Sequence, residues 1–488
     1  MTDTASFASE ILLIAVVGLL ALLSNRLTER IKIPAPLLVL VAAAAAVQVV
    51  PGLHQPPERT VERLVTVALI CILFDGGMHI GLRKFREAAV PIVVVGVLGT
   101  FLTAGAIGVF IHLVIGLAWF PSLLVATAIS PTDPAVVFSV LGQREVAGRS
   151  GTILEGESGA NDPVGIALMA SLITAGGVSG GAFGHVAAEF ALQMGVGAVA
   201  GLIGGRALLW FMRAVPLPSE GLYALRTAAG VLLIYGVATL AHGSGFLAVF
   251  VAGILLGDAR APYKREIERF HSALASVGEI VAFVVLGLTV DLAELSHPDV
   301  WVAGLVVAVA LAFLVRPVFV GLCLAPAGLR TNERLFVLFA GLKGAVPILL
   351  GSFILAADLP DAERLYGIVV VVVLFSVLVQ GSFVPTVARL LQLPMRTAAP
   401  QPWGLDVRLA DEPEGAHRLV VAEGAPADGR RIEDLETLPE DAWISLVVRD
   451  QRLLPAHGDS ELLAGDEVLV IADPEQYDAL AATFSIPG

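Results

Sequence analysis

Apolar residues in this chain fall into runs of about 20, parted by short polar stretches, and not into the alternating or heptad patterns of soluble folds. A helix rising 1.5 Å per residue needs about 20 residues to cross roughly 30 Å of hydrocarbon, so each run predicts one membrane-spanning helix. Thirteen runs are read, at 10–25, 34–50, 61–80, 89–115, 120–141, 153–175, 184–205, 222–241, 244–257, 273–292, 300–324, 334–357 and 364–393. The ninth is short, and several contain Gly or Pro, which membrane helices tolerate where neighbours satisfy the freed backbone groups. Ile11 to Leu23 reads as a first span and not as a cleavable leader, because no small-residue cleavage site follows it. The expectation is an all-α polytopic membrane protein of 13 transmembrane helices.

Basic residues test that division independently, because cytoplasmic loops collect Lys and Arg. Odd-numbered loops hold Arg26/Arg30/Lys32, Arg83/Lys84/Arg86, Arg144/Arg149, Arg206/Arg213, Arg260/Lys264/Arg265/Arg269 and Arg330/Arg334, whereas the even loops hold little beyond Arg59 and Arg364. This parity places the N-terminus outside and the C-terminus in the cytoplasm, as expected of a multi-pass protein of a bacterial inner membrane.

Composition agrees: 56% of residues are hydrophobic and 15% charged, with a mean hydropathy of +0.84, far from soluble norms. The formal charge of -14 belongs mostly to residues 395–488, which hold 7 Lys and Arg against 19 Asp and Glu. That acidic end argues against a nucleic-acid partner, which needs a basic footprint. Cys71 and Cys323 both lie in apolar runs, where small buried residues are the simplest reading. Nothing in the chain calls for a cofactor.

Charge inside hydrocarbon is costly and marks an ion pathway or a buried pair. Here Asp75 follows Ile72-Leu73-Phe74, Asp133 lies in Ser130-Pro131-Thr132-Asp133-Pro134, and Glu155, Glu157 and Asp162 share the sixth run. Arg316 and Lys343 answer them from the eleventh and twelfth. Two prolines around Thr132 and Asp133 cannot sit in an unbroken helix, since each removes a donor and collides with the preceding turn. Gly341-Leu342-Lys343-Gly344-Ala345-Val346-Pro347 repeats the device. The two runs are seven apart, so the second is expected to run opposite to the first, giving an inverted repeat with two broken helices, the sequence pointer to a transport site.

Ser158 and Asp162 are four residues apart and share one helical face, with Glu157 and Asn161 on the adjacent stripe. Hard oxygen ligands suit a small alkali cation, so Asp162, Ser158 and the Thr132 carbonyl could form a partial cage, with Asp75 as a further ligand. A carboxylate that holds a proton has lost the charge that binds the metal, so Asp162 alone would couple the two flows. Glu157 and Arg316 read as a structural ion pair, and Lys343 as the charge that neutralises the dipole or charge at the helix break. An interfacial position is an alternative for Glu155 and Glu279 and more so for Glu189, while His79, His112 and His242 near the span ends read as ordinary interfacial histidines.

These motifs, Phe74-Asp75-Gly76-Gly77, Thr132-Asp133-Pro134, Glu157 to Pro163 and Gly341 to Pro347, resemble the monovalent cation:proton antiporter-1 family, NhaP-like, across residues 1–393. The resemblance implies that Asp162 carries the cation and the proton, that Ser158, Asp75 and the Thr132 backbone help to coordinate the ion, and that Asn161 and Asp133 support crossed broken helices. It implies a Glu157–Arg316 pair, electroneutral exchange and a homodimer. Asp75 stands where many members have Glu, and Lys343 where Arg is usual. The Asp-Gly-Gly-Met version resembles the CvrA-type potassium/proton branch, which makes K+ the expected ion and Na+ or Li+ the alternative.

Residues 394–413 read as a Pro- and Ala-rich linker. Beyond it, 414–488 show strand character at Arg418–Ala422, Trp443–Val448 and Glu467–Ile471 and short helices at Asp434–Leu435 and Glu475–Ala482. Gly429-Arg430-Arg431-Ile432, Ile444 to Asp450 and Gly465 to Ile471 resemble a TrkA-C (RCK C-terminal) domain, a small α+β module. That resemblance implies a regulatory role and, in some members, a bound cyclic dinucleotide; a stability or dimerisation module is the equal alternative.

Two other functions compete with this reading. Gly156-Glu157-Ser158-Gly159 matches a rhomboid-type protease motif with His242 as its base, but leaves the broken helices and Asp162 without a purpose. A channel could use the same carboxylates but would not couple two ions. The sequence therefore predicts a secondary antiporter and not an enzyme.

Overall fold

The structure, a computed structural model, describes residues 18–19, 35–49, 56–141, 144–146, 149–177, 182–290, 292–357, 359–397, 415–435, 438–439, 441–449, 452–454, 456–473 and 476–485. It divides into two units, Met1–Ala399 and Pro400–Gly488.

The first unit is helical. In order it holds α1 (Ala35–Val49), α2 (Glu58–Val93), α3 (Thr100–Phe110), α4 (Trp119–Ala128), α5 (Pro134–Leu141), α6 (Arg149–Ala175), α7 (Ala182–Ala214), α8 (Glu220–Leu240), α9 (Gly245–Gly257), α10 (Lys264–Leu288), α11 (Pro298–Ala310), α12 (Arg316–Cys323), α13 (Thr331–Phe339), α14 (Ala345–Ala356), α15 (Ala362–Phe375) and α16 (Ser382–Leu390). Wider π-helical turns at Val94–Gly99, Leu311–Val315 and Ser376–Gly381 join α2 to α3, α11 to α12 and α15 to α16. A two-stranded antiparallel ladder pairs β1 (Arg144–Val146), between α5 and α6, with β2 (Met395–Thr397) beyond α16.

The expected count of 13 transmembrane helices is corrected. Among the described residues, 6 helical segments are long and apolar enough to cross a membrane: Arg59–Ile115, Gly184–Ala214, Glu220–Leu240, Lys264–Leu288, Pro298–Cys323 and Ala362–Leu390. Four further apolar helices, Leu38–Val47, Trp119–Ala128, Gly245–Gly257 and Ala345–Ala356, fall short. The physical reasons differ from run to run. Runs 61–80 and 89–115 fall within one 57-residue helical segment that kinks at Gly81. Runs 120–141 and 334–357 are cut by breaks, so neither half attains a span's length. Run 153–175 lies in α6, whose first half is polar with Glu155, Glu157, Asn161 and Asp162. Run 10–25 and the basic group Arg26/Arg30/Lys32 lie outside the described residues, apart from 18–19. The inverted repeat was counted from those 13 spans and loses its basis with them.

Lipid tails are as apolar as side chains, so helices in a bilayer associate by close packing over small residues. Helices α2 and α9 do so: a Cβ at Gly253 would meet the Phe74 carbonyl oxygen and lie 3.1 Å from the Gly77 Cα. At the kink the Asp258 carboxylate accepts from the Arg83 amide at 2.6 Å. Large apolar side chains face outward on α7 (Val199, Ile203, Trp210) and α8 (Leu225, Leu233, Val237), as lipid-facing surfaces require. Most of the middle of α6 and of α14 is buried. The first unit is a multi-pass membrane protein.

The second unit is a four-stranded antiparallel sheet in the order β3 (Ala416–Val420), β6 (Glu467–Ile471), β4 (Trp443–Arg449), β5 (Arg452–Leu454), with α17 (Tyr477–Phe484). Strand β5, which the sequence pattern did not suggest, forms a hairpin with β4. Alternate residues Leu419, Ile444, Val468 and Val470 build its core with Leu480 and Phe484. Beside that core Asp466, 1% exposed, takes two hydrogen bonds from the Arg449 guanidinium at 2.8 and 2.7 Å and one from the Leu463 amide at 2.8 Å.

Candidate functional site

Between α4 and α5 the chain is non-helical from Ile129 to Asp133, and between α13 and α14 from Ala340 to Gly344. Each break bares main-chain groups that must find partners in a dry interior. They find them in each other. The Asp133 amide donates to the Leu342 carbonyl at 2.8 Å, and the Lys343 ammonium donates to the carbonyls of Ser130 at 2.8 Å and Pro131 at 3.0 Å. Gly341 and Gly344 permit the crossing: a Cβ at Gly341 would overlap the Arg316 guanidinium, and one at Gly344 the Asp133 carboxylate.

The charges complement the dipoles of the half-helices. Lys343 caps the C-terminal carbonyls beyond α4. Arg316 does the same for α13, donating from Nε to Leu338 O at 3.0 Å and from one terminal nitrogen to Val337 O at 3.2 Å. Asp133 stands at the N-terminal end of α5 with its carboxylate against Gly344, where α14 begins. Cations at C-termini and anions at N-termini are both favourable placements.

Helix α6 lays its two stripes on this crossing. Along the first, Glu157 receives Arg316 at 2.8 and 3.1 Å, both side chains nearly fully buried. Asn161 Nδ2 donates to Thr132 Oγ1 at 2.8 Å, while the Thr132 amide and hydroxyl reach Asn161 Oδ1 and Glu157 Oε1 at 3.4 Å each. The second stripe is sparser. Asp162, 8% exposed, has Ser158 Oγ as donor at 3.5 Å. A buried carboxylate with one long hydrogen bond is poorly compensated as an anion, so binding a proton or a cation is favourable there.

Asp133, Thr132, Glu157, Ser158, Asn161, Asp162, Arg316 and Lys343 are thus brought together at one crossing. Asp75 is engaged elsewhere: Ser272 of α10 donates to its Oδ1 at 2.8 Å, and His79 Nδ1 lies 3.4 Å from its Oδ2. Among the described residues no group of three His, Cys, Asp or Glu side chains could hold a resident metal ion.

Sequence reasoning missed Ser376 and Gln380, on the π-helical turn after α15. Ser376 Oγ accepts from the Lys343 amide at 3.1 Å and Gln380 Nε2 donates to Phe339 O at 2.5 Å. The signal was available as two uncharged polar residues four apart in the apolar run 364–393.

Comparison with known proteins covers nearly the whole chain. Residues 12–390 match the profile of the family described as sodium/hydrogen exchanger, transmembrane, and residues 416–485 that of the TrkA-C domain. A K(+)/H(+) antiporter NhaP2 from Shewanella sp. (strain MR-4) is 32% identical over 493 residues, covering 99% of this chain and 84% of that protein. A K(+)/H(+) antiporter NhaP from Alkalimonas amylolytica is 32% identical over 466 residues, 94% of this chain and 80% of the relative. The solved sodium proton antiporter MjNhaP1 from Methanocaldococcus jannaschii has the same fold over 78% of this chain and 99% of its own, with a TM-score of 0.66 at 22% identity.

Proposed function

The chain belongs to the sodium/hydrogen exchanger family, and on that footing we propose that it is a secondary antiporter exchanging K+ for H+ across the cytoplasmic membrane. Its TrkA-C domain regulates the exchange. Relatives aligned over 94–99% of this chain that carry K(+)/H(+) antiporter names favour K+ as the cation, together with the Asp-Gly-Gly-Met motif of the CvrA-type branch.

One observation carries the mechanism. Among the described residues, the carboxylates of Asp133, Glu157 and Asp162 share the crossing with the cations Arg316 and Lys343. The surplus is a single negative charge, closed either by one monovalent cation or by one proton. Asp162 carries that charge, since Glu157 is paired with Arg316 and Asp133 stands at helix N-termini. Ser158 and the Thr132 backbone supply neutral oxygens to the cation, Asp75 adds a further carboxylate along its route, and Asn161 holds Thr132 in place. One cation for one proton makes the exchange electroneutral.

The exchange domain is 1–393, the linker 394–413 and the regulatory domain 414–488. The N-terminus lies outside and the regulatory domain in the cytoplasm. That orientation is supported by the gathering of basic residues at one end, where the Arg83 amide donates to Asp258 and Arg213 donates to the Arg260 carbonyl at 3.0 Å. The finer assignments that follow the resemblance are a homodimer and a cyclic dinucleotide as ligand of the regulatory domain.

Vesicles holding the full chain and an internal pH dye test the reading. Adding K+ with the voltage clamped should drive proton efflux, and the same measurement with Na+ and Li+ decides between K+/H+ exchange and its Na+(Li+)/H+ alternative. Cation uptake without proton movement would mark a channel.

A further inference from the structure

In a continuous helix the amide of Lys343 would donate to the carbonyl of Phe339, four residues earlier. The break removes that hydrogen bond, among others, and leaves both groups in the interior, where an unpaired polar group is costly. Two side chains are inserted in its place. The Lys343 amide donates to Ser376 Oγ at 3.1 Å, Ser376 Oγ donates to Gln380 Oε1 at 3.3 Å, and Gln380 Nε2 donates to Phe339 O at 2.5 Å. That missing main-chain bond is thus replaced by a bridge of three. Lys343, Ser376 and Gln380 are 2%, 3% and 4% exposed, so water does not substitute for the bridge from the surface. Both side chains project from the π-helical turn Ser376–Gly381, an irregularity that clusters at functional sites.

The same lysine holds the crossing at its other end, through its ammonium on Ser130 and Pro131. Its amide is fixed by the bridge and its side chain by the opposite break. A cavity of about 10 Å³, the room one water needs, lies beside the bridge and is lined by Arg316, Gly341, Lys343, Ser376 and Gln380. On that side the bridge and not close packing restrains Lys343.

We propose that Ser376 and Gln380 are positioning residues for the exchange, acting through Lys343: they splice the broken helix so that the crossing keeps the geometry in which Asp162 and its neighbours receive the cation. The inference rests on the exchange reading above. It predicts an effect on cation affinity, because a preformed site spends less of its binding free energy on ordering itself.

The test is cation-driven proton movement in vesicles holding the full chain, over a range of K+ concentrations, with the protein per vesicle quantified. Ser376→Ala and Gln380→Leu should each raise the half-saturating K+ concentration roughly five- to tenfold, the equivalent of one buried hydrogen bond. The rate per transporter at saturation should fall much less. Ser376→Thr, which keeps the hydroxyl, should stay near the parent chain, and the double variant should be little worse than the poorer single one. An unchanged half-saturation with a rate that falls only as folded protein falls would reduce the bridge to a structural brace and overturn the proposal. So would a Ser376→Thr as impaired as Ser376→Ala, or strict multiplication of the two single effects. If the parent chain itself shows no K+-driven proton movement, the exchange reading fails first and the inference falls with it.

Discussion

The ammonium of Lys343 lies 2.8 Å from the carbonyl oxygen of Ser130, a residue of the other broken helix. The sequence suggested that this lysine neutralises the dipole or charge at a helix break; its ammonium lies on the bared carbonyls of the helix opposite. Lys343→Met keeps the length and removes the donors, stranding two buried carbonyls at about 1–3 kcal/mol each. Melting in detergent should begin several degrees lower, with exchange lost. An unaltered midpoint would mean that the crossing does not depend on this contact.

Asp162→Asn should behave in the opposite way. A buried carboxylate with one hydrogen bond at 3.5 Å gives the fold little, so its neutral isostere should match or exceed the parent's melting temperature while exchange disappears. In the parent chain, competition at one carboxylate makes the half-saturating K+ concentration climb as the pH is lowered, by up to about tenfold per pH unit in the limit. A half-saturation that stays flat from alkaline to acid pH would show that cation and proton use separate sites.

Arg316→Met strands both the Glu157 carboxylate and the carbonyls of Val337 and Leu338. Breaking such a buried pair from one side costs about 3–5 kcal/mol. Adding Glu157→Gln removes the stranded charge, so the double variant should recover part of the stability. Thermal or denaturant unfolding of the two variants side by side checks this, and equal losses would argue against the pairing.

Gly344→Ala should abolish exchange, because its methyl group would overlap the Asp133 carboxylate. Gly236→Ala on α8 is the control, since a Cβ there meets nothing within 4 Å. Transport assays on both separate a steric requirement at the crossing from a general sensitivity to losing glycine.

In the regulatory domain, Arg449→Met leaves Asp466 buried without its guanidinium. Hydrogen exchange of the full chain should show the protection of β4 and β6 falling, with that of α6 and α14 unchanged. Uniform loss across the chain would contradict the independence of the two cores.

Much of the crossing was legible because prolines and membrane-depth charges have few innocent explanations. Pro131, Pro134 and Gly341 to Pro347 announced where helices could not continue, and the four-residue spacings on α6 announced which side chains would share a face. Span number was not legible. Run length measures how apolar a segment is, and it reports neither that the helix through runs 61–80 and 89–115 continues across Arg83, Lys84 and Arg86, nor that a break shortens a helix below membrane thickness. Ser376 and Gln380 escaped notice for another reason: uncharged polar residues in an apolar run do not signal a cost until the group they satisfy is known. Asp75 illustrates the limit of motif spacing, since its partner Ser272 is set by the packing of α2 on α10, whereas His79 is its neighbour one turn along α2.

The short ladder between β1 and β2 ties Val146 to Met395 and Arg144 to Thr397. A tug arriving along the chain from the regulatory domain meets that seam before it meets α16. The seam is sewn to the connector joining Asp133's helix to Asp162's, so the segment beyond α16 is anchored to the same connector that spaces those two carboxylates.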